Sequence, residues 1–165
     1  MKRLAGLAAA LLLTGCVAGA APVAPASPSA NPWDVSALPD PCRVVTVAEV
    51  RGVLGGTVGT GTRMDTWPPM CRFAIDGTAR TYLYVSDNSL PSGREDFEAR
   101  RDGTGPVDTV TGIGQQAYWL PGAAALHVLS GRTHLVVVFW GAGIPAGAED
   151  KAVALARLAL PRAQK

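Results

Sequence analysis

Three cysteines and two histidines are all the thiol and imidazole side chains in this chain of 165 residues. No two cysteines stand at the Cys-x-x-Cys spacing of a redox or zinc module. Basic clusters are equally scarce. Behind the first three residues only Arg100 and Arg101 are adjacent cations, which leaves no basic face for phosphate neutralisation and excludes nucleic acid as a partner. No apolar run approaches the roughly 20 residues that a membrane-spanning helix needs. Gly-x-Ser-x-Gly is missing, and the serines fall in low-complexity sequence, loops or helix caps, so no serine stands in a triad context and only groups distant in sequence that converge in space could supply one. The glycine run from Gly55 to Gly61 follows a helix instead of preceding one and has no Lys-Ser/Thr ending, which excludes a phosphate loop. No catalytic residue, cofactor or resident metal is therefore expected.

What the chain does have begins at its first residues. Lys2 and Arg3 precede an apolar run from Leu4 to Leu13 of about ten residues, the length of a signal-peptide core. Leu13-Thr14-Gly15-Cys16 follows, and it closely resembles the bacterial lipobox. That resemblance implies a diacylglyceryl group on the Cys16 sulfur and cleavage between Gly15 and Cys16, leaving residues 1–15 as a signal peptide. Ordinary secretory cleavage near Ala18-Gly19-Ala20 is the alternative. Two acyl chains are enough for lasting attachment, at about 0.8 kcal/mol per buried CH₂. The expected location is the extracytoplasmic face of the cell membrane, held through Cys16. Removing Lys2 and Arg3 from 15 basic residues leaves 13 against 13 acidic ones, so the mature chain is close to neutral.

Residues 16–39 are rich in Ala, Pro and Ser, with prolines at 22, 25, 28, 32 and 39. Such composition buries too little apolar surface to fold and reads as a tether. Residues 40–165 read as one globular domain. Thr46 and Glu49 form a capping box, Val47, Val50, Val53 and Leu54 a helical stripe, and Gly55-Gly56 a stop, which predicts a helix over 47–54. Asp76-Gly77 between two β-favouring runs predicts a hairpin of 72–75 with 81–85. Ser92 and Glu95 predict a second capped helix that carries Phe97. Strands follow at 107–110 and 116–120, then a hairpin of 123–130 with 133–140 around Gly131-Arg132, then a helix over 149–160. The 133–140 arm is apolar on both faces, the mark of a central strand. The expected class is α+β, a single antiparallel sheet of five to six strands flanked by helices.

Once Cys16 carries lipid, Cys42 and Cys71 are the remaining thiols in an oxidising compartment and are expected to pair. A two-residue turn at Gly131-Arg132 places His127 diagonally across from His134 on one face, roughly 7–8 Å apart at the backbone. With no Cys, Asp or Glu near them in sequence, the two make an incomplete zinc site and read as sheet histidines. Glu95, Asp96 and Glu98 read as a solvated acidic face on the second helix. Tyr82, Tyr84, Trp119 and Trp140 lie on predicted strands and are the candidate lining of a ligand groove, with core packing as the alternative.

Asp40-Pro41-Cys42, Val44-Val45-Thr46 with Glu49-Val50 and Leu54-Gly55, Cys71-x-Phe73, and Val110-x-Gly112-Ile113-Gly114-x-x-Ala117 together resemble a family of actinobacterial secreted lipoproteins of unknown function, over about residues 40–160. Val44-Val45 stand where that pattern has leucines, and Phe73 where it has tryptophan. The resemblance implies a lipoprotein with a Pro-Cys opening and a closing Ala-rich helix, and it assigns no catalytic residue. The functional expectation is a non-catalytic binding module of the cell envelope, for an envelope protein, a cell-wall component or a small apolar ligand. An envelope hydrolase is the alternative.

Overall fold

The computed structural model describes residues 38–76, 81–88 and 92–163. The leader, Cys16, the tether up to residue 37, and Gly77 of the Asp-Gly pair lie outside the described residues. Strands β1 (Thr62–Met64), β2 (Met70–Ala74), β3 (Thr81–Asn88), β4 (Asp108–Val110), β5 (Gln116–Leu120), β6 (Ala125–Ser130) and β7 (Thr133–Gly141) form one sheet in the order β1-β2-β3-β7-β6-β5-β4. Every neighbouring pair is antiparallel. The sheet has seven strands where five to six were expected. The additional strand is β1, whose three residues carry no apolar alternation and follow a glycine run that reads as loop. The apolar β7 is the central strand, as its sequence implies.

Alternation divides the sheet into two faces. One face carries Cys71, Phe73, Leu83, Val85, Ala117, Trp119, Leu126, Val128, Leu135, Val137 and Phe139, all buried. Helices α1 (Val47–Leu54) and α3 (Ala148–Ala163) cover it. α3 meets it through Ala152, Leu155, Ala156 and Ala159, each with no exposed surface, and these small side chains let the helix sit close. Helix α2 (Gly93–Gly103) lies on the opposite face, packed on β6 and β7 through Phe97. A Cβ on Gly93 would collide with the carbonyl oxygens of Arg132 and Asn88, so glycine allows the start of α2 to abut the β6–β7 turn. Among the described residues no helix is long and apolar enough to cross a membrane.

The capping box of α1 is complete. The Glu49 amide donates to Thr46 Oγ1 at 3.3 Å, and the Thr46 amide donates to Glu49 Oε2 at 2.8 Å. Ser92 makes no such cap, because its backbone is already helical (φ −79°, ψ −1°) and its hydroxyl is not directed back at the first turn. The β2–β3 hairpin forms, with Ala74 opposite Tyr82, so a connection longer than Asp76-Gly77 joins the strands. Cys42 and Cys71 are bridged, with Cα atoms 4.9 Å apart, tying the 3-10 turn Pro41–Arg43 to β2. Closing a loop of about 30 residues contributes roughly 3–4 kcal/mol in the chain-entropy account.

The two covering helices are clamped to each other. Arg162 Nη2 donates to Glu49 Oε1 at 2.7 Å, while Nη1 donates to Glu49 Oε2 at 2.8 Å and to the Val44 carbonyl at 3.0 Å. The Arg162 hydrogen bond and then the Thr46 amide pull the Glu49 carboxyl from 4.5 down to about 2. A carboxyl depressed on folding stabilises the fold above its unfolded value and loses that contribution as pH falls through the folded one. Thermal melts should therefore show the wild type losing more stability than Glu49→Gln between about pH 4.5 and pH 2. Parallel curves across that window would show that the clamp contributes nothing.

Candidate functional site

The face opposite α1 and α3 is only partly covered, and alternation fixes what it displays. Tyr82 stands opposite Trp140, Tyr84 opposite Val138, Ser86 opposite Val136, and Asn88 opposite His134. On the other side of β7, Val136 faces His127 and Val138 faces Ala125. Tyr82 and Trp140 stack with ring centroids 6.2 Å apart, and Tyr82 and Tyr84 lie 6.0 Å apart. The Arg72 guanidinium sits 5.1 Å above the Tyr82 ring, a cation–π contact. Trp140 is 60% exposed. Three of the four expected groove aromatics thus share this face. Trp119 does not: it is 6% exposed and belongs to the core under α3, because it is one residue out of phase with Tyr118 and so points to the opposite side.

Beside the aromatic row lies a cavity of about 450 Å³. Its walls are Trp67 and Pro68 from the β1–β2 loop, Met70, Val136 and Val138 from the sheet, and Leu120, Ala123 and Ala125 around the end of β5. Its polar groups are few: Ser86, His127, and Arg100 and Thr104 from the last turns of α2. Pockets of 300–1,000 Å³ with mostly apolar walls and a few convergent polar groups are the usual form of small-ligand sites.

At one wall is a chain of hydrogen bonds. His134 Nδ1 donates to Asp96 Oδ2 at 2.9 Å, and His134 Nε2 lies 2.9 Å from His127 Nδ1. The diagonal placement of the two histidines across β6 and β7 follows the register Ser130–Thr133 and Leu129–His134. No acid stands near them in sequence, but the fold brings one in from 38 residues away. Asp96 is brought in by α2 and is not the solvated residue its helix position suggests; its neighbour Phe97 must enter the sheet face, and the docked helix carries Asp96 with it. Glu95, by contrast, is exposed. Rings enclose the chain: Tyr118 stacks on His127 at 4.7 Å and 10°, and Phe97 meets His134 edge-on at 5.4 Å. His134 has no exposed surface and His127 only 5%.

These surroundings set the charge states. Burial raises the Asp96 carboxyl, but the His134 hydrogen bond and Arg100, 2.9 Å away, outweigh it and hold the group below its ordinary value. Burial lowers His134, with Asp96 opposing it only in part. Burial, then His134 and Arg100, lowers His127 to about 3. Both imidazoles are accordingly neutral near pH 7 and Asp96 is ionised. An ionised carboxylate only accepts, so the His134 proton sits on Nδ1 and its Nε2 is a lone pair. His127 must then donate from Nδ1, which leaves a lone pair on its Nε2.

Among the described residues, the serine on this face, Ser86, does not complete the arrangement into a triad. Ser86 on β3 and His127 on β6 flank Val136 of β7 from its two sides, two strand spacings or about 9–10 Å apart at the backbone. The Ser86 hydroxyl donates to the Pro69 carbonyl at 3.1 Å. Among the described residues, no group of three or more His, Cys, Asp or Glu side chains is arranged to hold a metal ion. The Asp96, His134 and His127 groups lie in line instead of converging on a point. Compared with models of protein families, with curated proteins and with solved structures, the chain matches none.

The two tryptophans should separate core from surface. Trp119→Ala should cost about 3–5 kcal/mol in a denaturant melt, as for other large aromatic truncations in cores. Trp140→Ala should stay within about 1 kcal/mol of wild type. Equal losses would contradict the assignment of the two faces.

Proposed function

We propose that this chain is a lipid-anchored protein of the extracytoplasmic face of the cell membrane, and that its domain is a binding module for a small, largely apolar ligand. The observation that carries the binding reading is the cavity of about 450 Å³ on the partly covered sheet face, apolar over most of its wall. The lipobox at Leu13–Cys16 and the Ala/Pro/Ser-rich tether support the anchor. The Cys42–Cys71 bridge agrees with an oxidising compartment outside the cytoplasm.

An envelope hydrolase is the competing reading, and the observation in its favour is the Asp96–His134–His127 chain. A general base works best with a pKa near the operating pH. His127, lowered to about 3, is far too weak a base for that task, and the Ser86 hydroxyl is bonded away from it. Such an imidazole is suited to accepting a hydrogen bond and holding a ligand. Half-buried Tyr84 and exposed Trp140 continue the apolar surface away from the cavity mouth toward Met64 and Met70.

Anchoring is tested by Cys16→Ala, which should move the protein from the membrane fraction to the soluble fraction or leave the precursor uncleaved. An unchanged membrane fraction with an unchanged mature mass would refute it. Ligand binding is tested with the neutral fluorophore N-phenyl-naphthylamine. Its emission should rise on the wild-type protein and stay flat on Val136→Phe, which fills the cavity, with both proteins melting cooperatively. Equal emission on both would place the probe elsewhere.

A further inference from the structure

The hydrogen-bonded chain has a direction, and the direction selects a class of ligand. Asp96 is fixed as an acceptor, so each imidazole downstream is held in the Nδ1–H form. Among the described residues no enclosed side-chain nitrogen or oxygen lacks a hydrogen-bond partner. The His127 ring spends Nδ1 on His134 and stacks its face on Tyr118, so its Nε2 is open to the cavity that it lines. The cavity therefore presents an acceptor with a fixed lone pair inside a mostly apolar wall. We propose that His127 Nε2 accepts a hydrogen bond from a hydroxyl of the bound molecule, so that the site takes apolar alcohols or phenols in preference to the matching hydrocarbons or carboxylates. This rests on the reading of the cavity as a ligand site.

Three features favour that class. A hydroxyl supplies the one donor the lone pair lacks, and a hydrocarbon would leave the nitrogen desolvated and unpaired. A carboxylate would set an anion against a lone pair and would need a proton from solution to relieve the clash. Arg100, the cation at the cavity wall, is already matched by Asp96 at 2.9 Å and Asp96 also takes the His134 bond, so the cluster has no net charge left to attract an anion. Asp96 and His134 do not touch the ligand in this arrangement. They are positioning residues, which hold the tautomer of the group that does.

The test compares naphthalene, naphthol and naphthoate binding to the mature wild-type protein by calorimetry. Naphthol should bind about tenfold more tightly than naphthalene, the ratio one modest hydrogen bond supplies, and naphthoate should bind more weakly than naphthol. His127→Phe, which keeps a ring against Tyr118, should bind naphthalene and naphthol equally. Asp96→Ala should lose most of the preference, and Asp96→Asn, which retains an oxygen to accept from His134 Nδ1, should recover it. Nitrogen-15 spectra of the wild-type histidines test the same point without a variant. The proton should be found on Nδ1 of both rings, and His127 Nε2 should respond to naphthol and not to naphthalene. Naphthalene and naphthol binding equally well, naphthoate binding best, or a proton on His127 Nε2 would each overturn the proposal while leaving the cavity a ligand site. If none of the three compounds binds, the cavity reading falls and this proposal with it.

Discussion

An antiparallel sheet must send alternate residues to opposite sides, and nearly every property of this domain follows from how its two sides are covered. The side under α1 and α3 is closed, and the residues packed beneath the helices, among them Leu83, Val85, Leu126, Val128, Leu135, Val137 and Phe139, are aliphatic or aromatic. The other side carries only α2, a short and mostly charged helix whose one large apolar contribution is Phe97. A helix of that kind covers part of a sheet. The remainder stays open as a cavity beside α2 and an aromatic row beyond it. The division of labour is physical: the closed face stabilises the domain, and the incompletely closed face is the one able to receive a second molecule.

The buried polar chain is the second constraint, and it acts against stability unless every member is paired. An imidazole with no exposed surface, such as His134, would cost several kcal/mol if its nitrogens were left without partners. Asp96 and His127 satisfy both. Hydrophobic contact through Phe97 alone would let α2 slide or rotate on the sheet, whereas the 2.9 Å bond between Asp96 and His134 pins its register. The close approach at Gly93 limits it again. The polar chain thus contributes less to the depth of the stability well than to the uniqueness of the packing. A consequence is that the orientation of the lone pair at the cavity wall is set by a carboxylate two residues removed along the chain of bonds.

The chemistry open to the site is narrowed by the same burial. Taking both imidazoles out of water lowers their basicity, which weakens them as general bases. A binding module and an enzyme can share an Asp-His pair; the lowered basicity of His127 and the separation of Ser86 from it are what favour the binding reading proposed above. Ser86 sits on the same face as His127 but across Val136, and its proton is given to a backbone carbonyl.

Much of this fold was legible in the amino-acid order because it is governed by local rules. The bounds of α1 follow from Thr46, Glu49 and Gly55, which act within one or two helical turns. The β6–β7 register follows from a two-residue turn, and with it the diagonal of His127 and His134. The pairing of Cys42 with Cys71, expected from the two thiols left when Cys16 is set aside as the lipid site, is the bridge the fold makes. The rest required the sheet to be assembled. Gln116–Leu120 has no polar alternation to say which of Tyr118 and Trp119 faces the larger core, and only the position of α3 decides it. β1 exists because β2 offers it an edge. Asp96 joins His134 across 38 residues, through the docking of a helix whose own sequence shows only a charged surface. The sequence by itself determined most of the elements and the β6–β7 turn, since those depend on residues close together. Tertiary structure alone decided the site, because a cavity and a hydrogen-bonded chain are made by side chains from separate elements meeting in space.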